Sequence, residues 1–263
     1  MPLHRAGAVQ QATFAAGYAA LRHSYAEAQQ DVALYERFFS KDSRPGFFVE
    51  MGALDGVLNS NTLAFEEALN WTGVLIEANP EMCEKLHRPG SRAGAVKLCT
   101  AISNDSSVIE FEYGTWTTSF GSAADVYAHM PRAFIKAAFE KKRHGDAKFM
   151  VPSAPLGYLL RAAGVSAVDL FSLDVEGSEL RVLQTMDWSI PVRVWCIEVQ
   201  PERRTELAIA AIMQRHGYRR EHWRVKVHGG IDHLWVRGGS WPTTSPPWKP
   251  WDGGDAADGS GPT

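Results

Sequence analysis

In the stretch DLFSLDVEGSEL, Asp169 to Leu180, an apolar run ends in a cluster of acids. Leu170, Phe171 and Leu173 are core residues by type, yet Asp174, Glu176 and Glu179 follow within six positions. Carboxylates resist burial unless they are paired, hydrogen-bonded or bound to a ligand. Acids at the end of a buried strand suit two tasks, holding a cationic or hydroxyl-bearing ligand and taking a proton from one. In extended chain, Asp174 and Glu176 project to the same side, so the two form a pair that could divide these tasks. Glu179 reads as a first-turn helix acid that answers the helix dipole. Glu198 in CIEV and His233 in DHLW sit at the ends of other strand-like runs and are further candidates for the same rim. Asp174, Glu176 and His233 are the expected catalytic residues. A divalent metal held by Asp174, Glu176 and Glu198 is the lesser alternative, because no metal-loop spacing is present.

A second constellation lies in VEMGALDGVLNSNT. Its pattern is E-x-G-x-x-x-G, with Leu54 in the place of the middle glycine of a dinucleotide fingerprint. Gly52 and Gly56 allow a sharp turn and close approach to a ligand, while Glu50 and Asp55 favour a cationic or hydroxyl-rich ligand over phosphates. Glu77 ends the next strand at the spacing where an acid accepts from ribose hydroxyls. Ser60 and Asn61 before an apolar helix also read as ordinary cap chemistry.

Short strand runs alternate with helical ones after a helical first region, Gln10 to Phe39. GFFVEM, GVLIEA, AVKLCTAI, VDLFSLD and VRVWCIEV read as strands, with SVIEFEY as an exposed or edge strand. SNTLAFEEAL, PEMCEKLH, APLGYLLRAAG, GSELRVLQTM and RRTELAIAAIMQRHG read as helices, and a further helix is expected near PRAFIKAAFEKKRHG. Such alternation predicts an α/β fold with a largely parallel sheet covered on both faces. The two strands that follow the last long helix, YRREHWRVKV and DHLWVRG, predict a closing hairpin that adds one antiparallel strand.

The 263 residues, 45% hydrophobic and 22% charged, suit a globular domain with a sizeable core. A formal net charge of −3 carries no nucleic-acid signature, and no apolar run is long enough to span a bilayer. The basic run EKKRHGDAK reads as a solvated face before it reads as a docking site for an anionic acceptor. The three cysteines, Cys83, Cys99 and Cys196, are odd in number and widely spaced, and reduced core thiols are expected. With no signal-peptide pattern at the start, a cytoplasmic location is expected.

The segments FFVEMGALDGVLNSNTLAFEEALNWTGVLIEANPEMCEKL and VDLFSLDVEGSELRVLQTMDW resemble FkbM-type S-adenosylmethionine-dependent methyltransferases. The likeness rests on G-x-x-D-G, S-N-T, W-x-G and E-x-N-P in order, and runs from about Pro45 to Arg237. It implies a class I methyltransferase fold, a Rossmann-like three-layer sandwich whose seven-stranded, mostly parallel sheet has its last strand antiparallel. It covers a methyltransferase domain (45–240) and leaves outside it a helical extension (1–44) and a tail (241–263) whose density of Pro, Gly, Ser and Asp predicts disorder. It implies S-adenosyl-L-methionine as cofactor. Glu50, Gly52, Ala53, Asp55 and Gly56 would then form the cofactor turn, and Asn61 would face the methionine portion. Glu77, Ala78 and Asn79 would hold the ribose, Ala101, Ile102 and Ser103 would border the adenine, and Asp174 would lie near the amino group or sulfonium. The implied activity is O-methylation of a hydroxyl on a small-molecule or glycan acceptor, such as a sugar or secondary metabolite, with no nucleic acid and no membrane span. A nicotinamide-dependent oxidoreductase and a noncatalytic module on the same fold are the alternatives.

Overall fold

The computed structural model describes residues 24–42, 44–113, 119–120, 148–226 and 231–239. The helix expected near 131–145, the basic run 140–147, the start of the first helical region and the tail lie outside these residues.

Residues 24–29 form turns and bends rather than the helix expected across Gln10 to Phe39; α1 (Gln30–Leu34) follows and runs into a wider π-type turn over Tyr35–Phe39. There follow β1 (Phe47–Met51), α2 (Leu63–Leu69), β2 (Thr72–Glu77), α3 (Pro80–Leu86) and β3 (Ala95–Cys99). Four further strands come next: β4 (Ala101–Ile102), β5 (Ser107–Tyr113), β6 (Ser119–Phe120) and β7 (Lys148–Ala154). The chain then forms α4 (Leu156–Ala162), β8 (Val168–Leu173), α5 (Glu179–Gln184) and β9 (Val192–Val199). It closes with α6 (Arg203–Arg215), β10 (Tyr218–Lys226) and β11 (Ile231–Arg237).

Seven strands form the main sheet in the order β10-β11-β9-β8-β1-β2-β3. The pairs β1/β2, β2/β3, β1/β8 and β8/β9 are parallel, while β11 runs antiparallel to both β9 and β10. This is the expected α/β sheet with its final strand reversed. The run read as one strand over 95–102 is split at Thr100: β3 stays in the main sheet, and β4 joins a four-stranded sheet ordered β4-β7-β5-β6. That second sheet was not foreseen, although SVIEFEY was read as an edge strand.

Alternation along the strands builds two cores. Val49, Ile76, Phe171, Trp195 and Ile197 face one side with Leu156, Leu183 and Ile209. Phe48, Leu75, Leu170, Val194 and Cys196 face the other, where Leu34, Phe39, Phe65, Trp71 and Leu86 cover them. Phe171 stacks on Trp195 at 4.2 Å between centroids, as core residues rather than substrate platforms.

Contrary to the expectation of reduced core thiols, Cys83 and Cys99 are joined in a disulfide, with Cα atoms 5.8 Å apart, and Cys99 is exposed at the end of β3. Widely spaced positions in sequence meet here because α3 packs back beside the strand that follows it. Cys196 is the free, buried thiol that was expected.

Candidate cofactor and acceptor site

The turn leaving β1 is held by a buried polar knot. Glu50 accepts from Ser60 Oγ at 2.8 Å, Asn61 N–H at 2.7 Å and Thr62 Oγ1 at 2.6 Å. Arg92, which sequence reasoning missed, supplies the counter-charge at 3.4 Å. Its guanidinium also donates to Gly56 O, Ser60 Oγ, Thr62 Oγ1 and Glu66, and lies 5.2 Å from the centre of the Phe48 ring. An arginine fork can serve this many acceptors without a proton to lose. Glu50 thus spends its lone pairs on the chain's own donors and acts by placing Ser60, Asn61 and Thr62.

Close approach dictates the glycines. A Cβ on Gly52 (φ +84°) would lie 1.7 Å from the Asp174 carbonyl oxygen, and one on Gly56 (φ +84°) would meet Leu86 and Arg92 below 3 Å. Gly52 N–H and Ala53 N–H donate to Ile76 O, and Asp174 N–H donates to Met51 O, so the turn is stitched to both neighbouring strands. Leu54, standing where the fingerprint has glycine, adopts φ 50°. Its N–H donates to Glu77 Oε2 at 2.7 Å. Asp55 caps the loop locally, accepting from the N–H groups of Val57 and Leu58.

Glu77 is buried, and Asn79 N–H holds its second oxygen at 2.6 Å. Burial pushes its carboxyl above the usual range, and the backbone donors Asn79, Leu54 and Ala78 work against that. Asn79 also caps α3, accepting from the N–H groups of Glu81 and Met82. Ala101, Ile102 and Ser103 are all buried, and Ser103 hydrogen-bonds Ser153 across the small sheet at 2.9 Å.

Register explains where the acids meet. Glu50 pairs with Ser172, Ser172 with Cys196, and Glu198 with Asp232. These side chains share the face on which Phe48, Leu170 and Cys196 pack. Asp174 lies just past β8, open to solvent but walled by protein, and shares a side-chain hydrogen bond with Glu198. The carboxyls of Asp174, Glu176 and Glu198 are all raised, first by burial; Glu27 and Glu50 add to it at Asp174, where the bond with Glu198 works against it, while Asp174 and Glu179 add to it at Glu176, and Asp174 and Glu176 at Glu198. Asp232 is pushed up to about 7 by burial, with Asp174 and Glu27 adding to it. Glu179 is likewise raised by burial to about 7, and its Oε1 accepts from the N–H groups of Val175 and Gly177.

Two expectations about this rim are altered. Asp174 and Glu176 do not come together through strand alternation, because β8 stops at Leu173 and Glu176 sits in a tight turn at φ 55°. His233 does not face the acids. It lies on the opposite face of β11, with Nε2 3.9 Å from Glu206 of α6, and its neighbour Asp232 takes the place at the acidic cluster. The N-terminal segment closes that side: Gln30 Nε2 donates to Asp232 at 2.8 Å, and Glu27 acts electrostatically on Asp174 and Glu176. Period-two alternation in IDHLWVR separates Asp232 from His233, but nothing local marks Gln30 or Arg92.

Three buried polar atoms in the described residues have no partner around this crevice: Asn61 Oδ1, Glu176 Oε2 and Gln200 Oε1. Asn61 is anchored from its other end, donating from Nδ2 to Ser172 Oγ at 2.9 Å. Unpaired buried acceptors are costly, and three at the carboxyl ends of β1, β8 and β9 fit a ligand that brings its own donors. The sequence from 50 to 220 matches the methyltransferase FkbM domain. The chain belongs to the FkbM methyltransferase family.

Among solved structures, this family member is similar to the FkbM methyltransferase of Methylobacillus flagellatus KT, at 12% identity and a TM-score of 0.46. That match covers 86% of this chain and 58% of the other. It is also similar to precorrin-6y C5,15-methyltransferase of Geobacter metallireducens GS-15, at 10% identity and a TM-score of 0.41, covering 80% and 88%. A third is the ribosomal protein L11 methylase of Lactobacillus delbrueckii subsp. bulgaricus, at 11% identity and 0.41, covering 80% and 78%. No curated protein matches. The sheet order, with its last strand antiparallel, and family membership stand together, and the family implies use of S-adenosylmethionine. Among the described residues no helix is long and apolar enough to cross a membrane.

Proposed function

We propose that this chain transfers the methyl group of S-adenosylmethionine to a hydroxyl on a sugar, glycan or secondary metabolite. The observation that carries this reading is the set of unpartnered acceptors among acids at the sheet's carboxyl edge. S-adenosylmethionine, when bound, supplies a cationic sulfonium and an electrophilic methyl group. The residues fit its chemistry: Asn61 Oδ1 would accept from the methionine ammonium, Glu77 with Ala78 and Asn79 would hold the ribose, and Ala101 to Ser103 would border the base. Gly52, Ala53, Asp55 and Gly56 shape the turn, and Glu50 holds it through its bonds to Ser60 and Asn61.

Asp174 meets the cationic end, while Glu176 and Glu198 lie toward the acceptor. With a cation in the crevice the raised carboxyls would fall, the proton shared by Asp174 and Glu198 would leave, and an ionised carboxylate would remain to take the hydroxyl proton. Orientation of the acceptor in line with the methyl group accounts for much of the rate. His233, on the far face, acts by positioning β11 and Asp232. The acid rim supports a neutral, hydroxyl-rich acceptor over a polyanion. In this reading 45–240 is the catalytic domain, and the segment from Ser24 forms one wall of the crevice.

A labelled-methyl transfer screen against sugars, glycans and small phenols, with mass analysis of the product, tests the proposal. A product methylated on oxygen is expected. A product methylated on nitrogen or carbon, or binding of S-adenosylmethionine with no transfer across the panel, overturns it.

A further inference from the structure

A second chemical cluster lies away from the acids. Cys83 on α3, His87 one helical turn later and Cys99 at the end of β3 bring two sulfurs and an imidazole nitrogen within 4.8 Å of one another. The turn spacing places Cys83 and His87 on one helix face. Parallel pairing of β3 with β2 sets Cys99 opposite Glu77, beside the start of α3. His87 Nδ1 lies 3.6 Å from Cys83 Sγ and 3.6 Å from Cys99 Sγ. In a tetrahedral zinc site, ligand bonds of about 2.3 Å to sulfur and about 2.0 Å to nitrogen put S and N about 3.6 Å apart. The imidazole therefore already stands at ligand distance from both sulfurs, with Nδ1 now donating to the Cys83 carbonyl oxygen at 2.9 Å, a bond and proton that a metal would displace. His87 and Cys99 are exposed, so a reductant and a metal ion both have access, while Cys83 is buried and fixed.

We propose that Cys83, His87 and Cys99 form a redox-gated site for a thiophilic divalent cation of the zinc type. The oxidised state is the disulfide, which has no thiolate to offer. A dithiol reductant transfers two electrons to the S–S bond, which breaks. The reductant closes its own disulfide, and its two protons go to Cys83 and Cys99. The metal then displaces both thiol protons to solvent and binds two thiolates and the imidazole, leaving a fourth position for water. Soft thiolates select zinc over magnesium or calcium, so the site is chemically distinct from the oxygen-rich crevice. It does not depend on the methyl-transfer reading.

The test uses the full chain, reduced by a phosphine or left oxidised, and titrated with Zn2+ against a chromophoric chelator and with Co2+ under visible and near-ultraviolet absorption. Reduced protein is expected to take up one equivalent of Zn2+ and to show thiolate-to-cobalt charge-transfer absorption, and oxidised protein to show neither. His87→Ala, an exposed substitution checked for folding by circular dichroism, should weaken zinc binding at least about tenfold, since even outer-shell partners cost that much. Cys99→Ser should abolish the charge-transfer band. No cobalt–thiolate band in the reduced chain, equal uptake by the oxidised chain, or undiminished binding in both variants overturns the proposal.

Discussion

Arg92 and Glu50 form a buried ion pair at 3.4 Å and share two further partners, Ser60 and Thr62. The pair ties the cofactor turn to the loop before β3, forty-two positions away in sequence. Removing one partner of a buried pair strands the other charge, at a cost of about 3–5 kcal/mol. Arg92→Met is therefore expected to lower stability by that order in chemical denaturation and to weaken S-adenosylmethionine binding. Arg92→Lys should recover only part, because a point charge cannot reach Gly56 O, Ser60, Thr62 and Glu66 together.

Gly52 and Leu54 should respond in opposite ways. Gly52→Ala drives a methyl group into the Asp174 carbonyl and is expected to abolish cofactor binding in calorimetric titration. Leu54→Gly relieves a left-handed residue worth about 1–2 kcal/mol of strain while giving up a half-buried side chain. Stability within about 1 kcal/mol of the parent, with binding retained, is expected there. A severe loss from Leu54→Gly would show that its side chain, rather than its backbone, matters.

Cofactor binding should release protons. Asp174, Glu176 and Glu198 are raised mainly by burial, and a cation favours their ionised forms. Affinity for S-adenosylmethionine is expected to rise with pH above the usual carboxylate range, by at most about tenfold per pH unit for each proton released. Titration calorimetry in two buffers of different ionisation enthalpy checks this. A binding enthalpy independent of buffer contradicts it.

Glu179 sets a stability slope. Its carboxyl goes from an ordinary 4.5 to about 7 through burial. The folded state thus holds a proton that the unfolded state has lost, so this contribution is complete below about pH 4.5 and disappears as pH rises through 7. The difference corresponds to about 3 kcal/mol. Glu179→Gln keeps an oxygen for Val175 and Gly177 and removes the titration. Denaturation at pH 5 and pH 8 should show a flatter slope in the variant and higher stability than the parent at pH 8.

The acid stretch DLFSLDVEGSEL was readable because its signals are local. A six-residue strand carrying Val168, Leu170, Phe171 and Leu173 is buried at the centre of the sheet, and acids after it emerge at the sheet's edge, where β8 stops at Leu173. Hydrophobic period and the closing pair of strands likewise announced a largely parallel sheet with one antiparallel strand, since each is a property of neighbouring residues, while the count of seven strands came with the family resemblance. Other features depended on which distant segments meet. Arg92 reads as one more loop arginine until the fold buries it against Glu50. Cys83 and Cys99 look unrelated until α3 folds back on β3. Asp232 and His233 are adjacent, and alternation alone puts them on opposite faces, but α6 covers one face and the N-terminal segment the other. Only the tertiary packing chose the face that carries the crevice, and with it Asp232 over His233, because burial and charge act across space and not along the chain.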